Sequence, residues 1–256
     1  MSIYSPTNSP EQNLNLLAQN SYPGRILVVG FAGGVAVQAY ALMGRSPGSR
    51  NRVLIKEDGI IGTQIHDPAL PVGDPKLTIY DAMRQVGDVH IVSNGSQTDT
   101  ITQYLRSGKT VAQALEVVEH EPDAPNHTPR ITGFYDSDPD DFQPNFGISV
   151  ISKDPSKEGS IRKLYTDTSA EMQDILSDNN VGLAVHTYKG NGDPLPSFDE
   201  LPFTLPVEDD AYDMAWQLWE NLDRENRVSV VAKTIALDGT VNFYKINRHD
   251  LEMLAQ

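Results

Sequence analysis

Three arginines crowd into one turn of this acidic chain, Gly44-Arg45-Ser46-Pro47-Gly48-Ser49-Arg50-Asn51-Arg52. A turn needs Gly and Pro but has no use for three guanidiniums. Guanidinium forks suit phosphate and polarised carbonyl oxygens, which they meet with parallel N–H donors. Pairing with surface carboxylates is the competing structural account. A second stretch, His90–Asp99 (HIVSNGSQTD), runs from apolar residues into a Gly-containing turn at a helix start. Backbone N–H groups in such a turn can hold an anion or an amide, and Asn94 and Gln97 add neutral donors and acceptors suited to a heterocyclic amide. An ordinary helix cap needs the same residue types. In a third stretch, Glu121–Arg130 (EPDAPNHTPR), Glu121, Asp123 and Arg130 sit on a loop stiffened by prolines, which fix side chains at little entropic cost. The fourth, Thr187–Phe198 (TYKGNGDPLPSF), places Lys189 beside Gly190 and Gly192.

Other patterns fail their own chemistry. Gly30-x-x-Gly33-Gly34 follows a strand but opens no helix and has no acidic residue about twenty positions on, so a hairpin turn explains it better than a dinucleotide site. Asp136, Asp138 and Asp140 alternate like a calcium loop, yet Pro139 interrupts them and Gly147 stands where the closing Glu belongs. His120, Glu121, Asp123 and His127 lack helical ligand spacing, because prolines separate them. No metal site is expected.

The chain has 256 residues with 20 basic and 35 acidic side chains, a net charge of −15, and no cysteine. It is long enough for a sizeable core. The missing cysteine excludes disulfides, thiolate-held metals and thiol nucleophiles. The acidity disfavours nucleic acid and anionic membranes as partners, but not one small anion held by local arginines. The N-terminus shows no signal-peptide pattern and the chain no transmembrane run, so a cytoplasmic location is expected.

The positioning elements follow from periodicity. Residues 1–20 read as a polar arm, loose or a short capping segment, and 21–256 as a single domain. Strands are expected at Ile26–Phe31, Val35–Met43, Val53–Lys56, Ile60–Ile65, Asp88–Ser93, Ile131–Tyr135, Gly147–Ser152, Ser160–Tyr165, Val181–Tyr188, Val228–Leu237 and Val241–Ile246, the first four forming one opening meander. Helices are expected after Thr98 as cap, after the Thr110/Gln113 capping box, and after Asp209 or Asp210, where Ala211, Met214, Ala215, Leu218, Trp219 and Leu222 make an apolar stripe. This is an α+β chain of stacked, mainly antiparallel sheets with helices outside.

With the stretches YPGRILVVG and IYDAMR, these four segments resemble the archaeal-type IMP cyclohydrolases and their bacterial relatives. The matching stretches keep the family's order from Tyr22 to Phe198. Asp81 departs from an Asn of the family's tyrosine motif, and the acidic loop at Asp136–Asp141 and the C-terminal 58 residues carry little of the likeness. The resemblance implies a four-layer αββα sandwich of the N-terminal-nucleophile-hydrolase type, a homo-oligomer, and no cofactor. It implies ring closure of 5-formamidoimidazole-4-carboxamide ribonucleotide to IMP and water. Arg45 is then the candidate for polarising the formyl oxygen, Glu121 for moving the proton, and Tyr80 for donating to the oxyanion, unless Tyr80 is simply a core tyrosine. Arg50, Arg52, Arg130 and Lys189, with the Gly190–Gly192 turn, are candidates for the 5′-phosphate. Asn94, Gln97 and Asp99 are candidates for the carboxamide or ribose, and Ser46, Asn51, Thr98 and Asp123 complete the expected contacts. Spacing does not decide which arginine has which task. An amidohydrolase on another ribonucleotide, or a non-catalytic purine-nucleotide binder, would carry the same motifs.

Overall fold

Gly33 and Gly34 both adopt positive φ (55° and 84°), and the strands they join close with Ala32 opposite Val35. That two-residue turn needs left-handed backbone at both positions, which glycine adopts without steric cost. It links β1 (Arg25–Ala32) to β2 (Val35–Met43). The computed structural model describes residues 3–70, 74–138, 145–168 and 180–254.

After β2 the chain leaves this hairpin for a second sheet. It runs through one helical turn, α2 (Pro47–Arg50), into β3 (Arg52–Glu57), β4 (Ile60–Ile65), a second helical turn, α3 (Pro75–Thr78), β5 (Asp81–Val86) and β6 (Val89–Ser93). The opening four strands are therefore two hairpins in two sheets, not one meander. Both turns of helix begin at a proline, whose fixed φ suits a first helical position. Two helices follow, α4 (Gln97–Arg106) and α5 (Val111–Leu115), then β7 (Arg130–Asp136), β8 (Phe146–Lys153) and β9 (Ser160–Thr166). The chain returns to the first sheet with β10 (Val181–His186) and β11 (Phe203–Pro206), and after α6 (Ala211–Glu220) adds β12 (Arg227–Ile235) and β13 (Val241–Asn247), with α7 (Arg248–Leu254) last. The first sheet has the order β11-β10-β1-β2-β12-β13 and the second β3-β4-β5-β6-β7-β8-β9. Among the described strands every pairing is antiparallel.

The two sheets stack face to face, and side chains cross between them. Tyr40 of β2 reaches Tyr80 at the mouth of β5, 2.7 Å between hydroxyls, and Gln38 donates to the His90 carbonyl at 3.0 Å. Strands β1, β2 and β12 are buried nearly throughout, as expected where a sheet is covered on both sides. Helix α6 packs on β12 and β13, and α4 and α5 cover β6–β8 through Ile101, Val111, Ala114 and Leu115 against Ile91, Phe134 and Ile151.

Most expected elements appear, with instructive exceptions. The cap of α4 is Ser96, not Thr98; the Thr98 hydroxyl is spent on the Asp81 carbonyl (2.7 Å). Asp210 caps α6 as read. Strands β5 and β11 and helix α7 escape periodicity because they are short or half-exposed. The N-terminal arm contains a helix, α1 (Pro10–Gln19), with a Ser9/Gln12 capping box and buried Asn13 and Leu17. Asn13 donates to the Thr204 carbonyl of β11 at 3.0 Å, so two polar caps and one apolar anchor hold a segment that reads as polar overall. Asp140 and Asp141 lie outside the described residues. No described helix is long and apolar enough to cross a membrane.

Candidate active site

Arg25 heads an apolar strand, yet it is buried, and so are Glu121 and Arg130. Charges taken out of water must be paired. Arg25 Nη2 donates to Glu121 Oε2 at 3.2 Å, and Arg130 Nη1 lies 3.2 Å from the same oxygen. The Arg130 contact is off the hydrogen-bond line, which leaves that nitrogen buried without a bonded partner. Arg52, also buried, stands within charge range of Glu121 and is held by the carbonyls of Ser49 (3.0 Å) and Met43 (3.4 Å). Three guanidiniums thus face one carboxylate. Burial pushes the Glu121 carboxyl up despite the lowering by Arg25 and Arg130, so this group holds its proton more firmly than an ordinary glutamate.

Beside the ion cluster lie hydroxyls. Tyr40 and Tyr80 share a hydrogen bond in the interior, and burial pushes the Tyr40 phenol well up, keeping it a donor. Tyr188 bonds Thr128 Oγ1 at 2.5 Å, and Thr128 in turn bonds Asp123 through its backbone N–H (2.6 Å) and its hydroxyl. Tyr22 stacks on Tyr188, with ring centroids 6.0 Å apart.

The HIVSNG turn and the proline-rich loop are wired together. Asn94 accepts from the Ile131 N–H (2.8 Å) and donates to the Pro129 carbonyl (2.9 Å), and Gln97 donates to Asn94 (2.9 Å) and to the Ile131 carbonyl (3.1 Å). These bonds set Arg130 in place. Gly95 lets it lie flat on the turn: a Cβ there would stand 1.6 Å from Arg130 Nη1. The Gln97 carbonyl oxygen, close to the same spot, is buried without a partner.

The structure therefore brings Glu121, Arg130, Arg52 and Tyr80 together and wires Asn94, Gln97 and Asp123 to them. Arg45 is placed farther out. It spans from the α2 turn to Asn191 Oδ1 (2.8 Å) and the Gly192 carbonyl (2.6 Å), and its guanidinium sits 5.7 Å over the Tyr22 ring. Lys189, near this bridge, pairs with Asp199 at 2.5 Å, and the Gly190 Cα faces Asn20. Other expected contacts are occupied in building the scaffold. Ser46 caps α2, Arg50 holds the Gly44 carbonyl (2.9 Å) and Asn226 (3.0 Å), and Asn51 binds the Asp67 backbone. Thr98 bonds Asp81, Gly95 and Ser93. Asp99 is exposed and pairs with Arg84 (3.2 Å), which also holds Asp81 at 2.5 Å. Sequence reasoning assigned no role to Arg25, Tyr40, Thr128 or Tyr188. Arg25 did carry a signal, as a lone cation opening a fully apolar strand. Among the described residues, no group of three or more His, Asp or Glu side chains converges to hold a metal.

The family model described as IMP cyclohydrolase-like protein matches residues 22–239. An IMP cyclohydrolase of Methanopyrus kandleri is 29% identical over 186 residues, which cover 70% of this chain and 89% of that protein. An IMP cyclohydrolase of Haloquadratum walsbyi is 31% identical over 120 residues, 45% of this chain and 57% of that protein. The matched span runs from Tyr22 through every element that supplies the ion cluster and its hydroxyls, and on these grounds the chain belongs to the IMP cyclohydrolase-like family.

Proposed function

We propose that the protein closes the purine ring of 5-formamidoimidazole-4-carboxamide ribonucleotide, giving IMP and water. The observation that carries this reading is the buried carboxyl of Glu121 clasped by Arg25 and Arg130 beside the Tyr40–Tyr80 hydroxyl pair. Ring closure needs no covalent enzyme intermediate, since both reacting groups belong to one molecule. The site must hold them face to face, stabilise charge on the formyl oxygen, and hand a proton to the departing hydroxyl. The raised Glu121 carboxyl suits the last task, because a carboxyl that holds its proton more firmly than an ordinary glutamate can serve as an acid. Tyr80 and Arg130 suit the oxyanion. The bridge position of Arg45 suits the mouth of the site, where it, with Lys189, would meet the phosphate; this moves the polarising task from Arg45 to the inner arginines.

The Asp81 departure does not favour a different substrate, since its side chain is taken by Arg84. We read the stacked sheets with outer helices as the four-layer αββα sandwich of the N-terminal-nucleophile hydrolases, here without a nucleophile of that kind, as Arg25 opens β1 and the chain has no cysteine. The test is incubation of the purified protein with the formylated nucleotide, following IMP absorbance. Appearance of IMP supports the reading. Tight IMP binding without turnover, or release of formate, sinks it.

A further inference from the structure

The loop that carries Glu121 also carries Asp123, and the hydrogen bonds from Asp123 run in one direction. The Thr128 hydroxyl and backbone N–H both donate to Asp123. A hydroxyl has one proton to give. With that proton on Asp123, Thr128 Oγ1 meets the Tyr188 hydroxyl only as an acceptor, so Tyr188 donates across the 2.5 Å contact. The phenol oxygen keeps its lone pairs free to accept, within charge range of Arg25. Tyr188 and Thr128 are buried, whereas Asp123 is half-exposed. One end of the chain of bonds is in the dry interior beside the ion cluster, and the other reaches water.

We infer that Tyr188, Thr128 and Asp123 form a one-way proton wire that takes the carboxamide proton during ring closure. The inference rests on the cyclohydrolase reading. As the carboxamide N–H bond breaks, its electron pair forms the bond to the formyl carbon and the C=O π pair moves to oxygen. The proton passes to the Tyr188 oxygen, the Tyr188 proton to Thr128, and the Thr128 proton to Asp123, which returns it to solvent. The oxyanion takes a proton from solvent to become the hydroxyl of the closed ring. Glu121 then protonates that hydroxyl, the C–O bond breaks with its pair leaving as water, the formamide N–H pair forms the ring C=N bond, and the formamide proton restores Glu121. Two carboxyls on one loop then have opposite tasks, set by their surroundings. Asp123 and Thr128 act through Tyr188, so a bracing role for the same bonds must be told apart from a proton-carrying one.

The experiment is steady-state kinetics across pH for wild type, Thr128→Val, Thr128→Ser, Asp123→Asn and Tyr188→Phe, with melting temperatures. The wire predicts that Thr128→Val loses about 100-fold in kcat with KM nearly unchanged, a loss typical of removed acid–base catalysis. Thr128→Ser restores it to within a few-fold. Asp123→Asn, whose amide can donate to Thr128 and reverse the wire, loses kcat to a similar degree with KM nearly unchanged. Full kcat in Thr128→Val, or a Thr128→Ser variant as impaired as Thr128→Val, overturns the inference. Should Thr128→Val not fold, unchanged kcat in folded Tyr188→Phe or Asp123→Asn overturns it equally. A wild type that makes no IMP removes the reaction and the wire together, while a wild type that turns over alongside active variants removes the wire alone.

Discussion

Glu121 and Gly95 show how single residues govern this site. Glu121→Gln keeps the shape of the side chain beside Arg25 and Arg130 but has no carboxyl proton to give up. Its kcat is expected to fall by about 100-fold or more, read on a preparation whose melting curve shows it folded. The pH dependence has a definite sign. The folded Glu121 carboxyl titrates above its unfolded value, so the folded state binds more protons in that window and stability falls as pH rises through it. Denaturation followed upward from pH 4.5, the ordinary glutamate value, should show this decline in wild type and lose it in Glu121→Gln. Gly95→Ala is a cleaner functional probe. Its Cβ displaces the Arg130 guanidinium, the far end of a flexible side chain, rather than backbone. We expect turnover to drop about 10-fold or more while stability changes by about 1 kcal/mol or less, within the range of mild substitutions. A normal kcat would mean that Arg130 works from another position. At this scale the sequence singled out Glu121, Arg130 and Tyr80, which the structure places together. Arg25 was legible only as an anomaly, because nothing local says what neutralises a cation in an apolar strand.

The elements explain why the site has its shape. Helix α1 is short, polar on average and distant in sequence from the chemistry, yet Asn20 at its C-cap donates to the Lys189 carbonyl at 3.0 Å. Its buried Leu17 anchors it beneath. Leu17→Ala should cost about 2–5 kcal/mol, the usual range for a deleted core side chain, and should raise KM by loosening the Lys189–Gly192 loop that meets Arg45. An unchanged KM in the folded variant would separate α1 from the site. The Thr110/Gln113 box, the Asp210 cap and the Gly33-Gly34 hairpin were all readable, because capping and tight turns are decided within a few residues. The cap of α4 was misplaced by two residues because Thr98 had an alternative partner, the Asp81 carbonyl, that only the sheet brings near.

On the scale of the whole molecule, the space between the sheets holds an unusual group. Lys233 is almost fully buried, with its ammonium 5.7 Å from the Phe243 ring, and burial pushes it down to about 7. Burial and the Lys233 charge together push His90 down to about 3. From pH 7 up to the ordinary lysine value of 10.5 the unfolded chain binds the extra proton, so stability rises with pH across that window and the full cost is felt below it. Lys233→Met should therefore raise the melting temperature by about 5 °C at pH 6.5 and by much less at pH 10; a loss at pH 6.5 would show that the ammonium has a hidden anion. We also expect a homo-oligomer, so light scattering should return a multiple of 28.2 kDa.

Sequence alone determined the alternating strands, the turns, the capping boxes and the acidic balance that leaves room only for a small anion. These depend on interactions within a few residues or on composition. It also marked four segments that the structure brings against one another. Only the tertiary structure decided which side chains share a site. Arg25 and Glu121 are 96 residues apart, and Thr128 and Tyr188 are 60 apart. Such pairs meet because two sheets stack, and stacking is a property of the whole core rather than of any window of the chain.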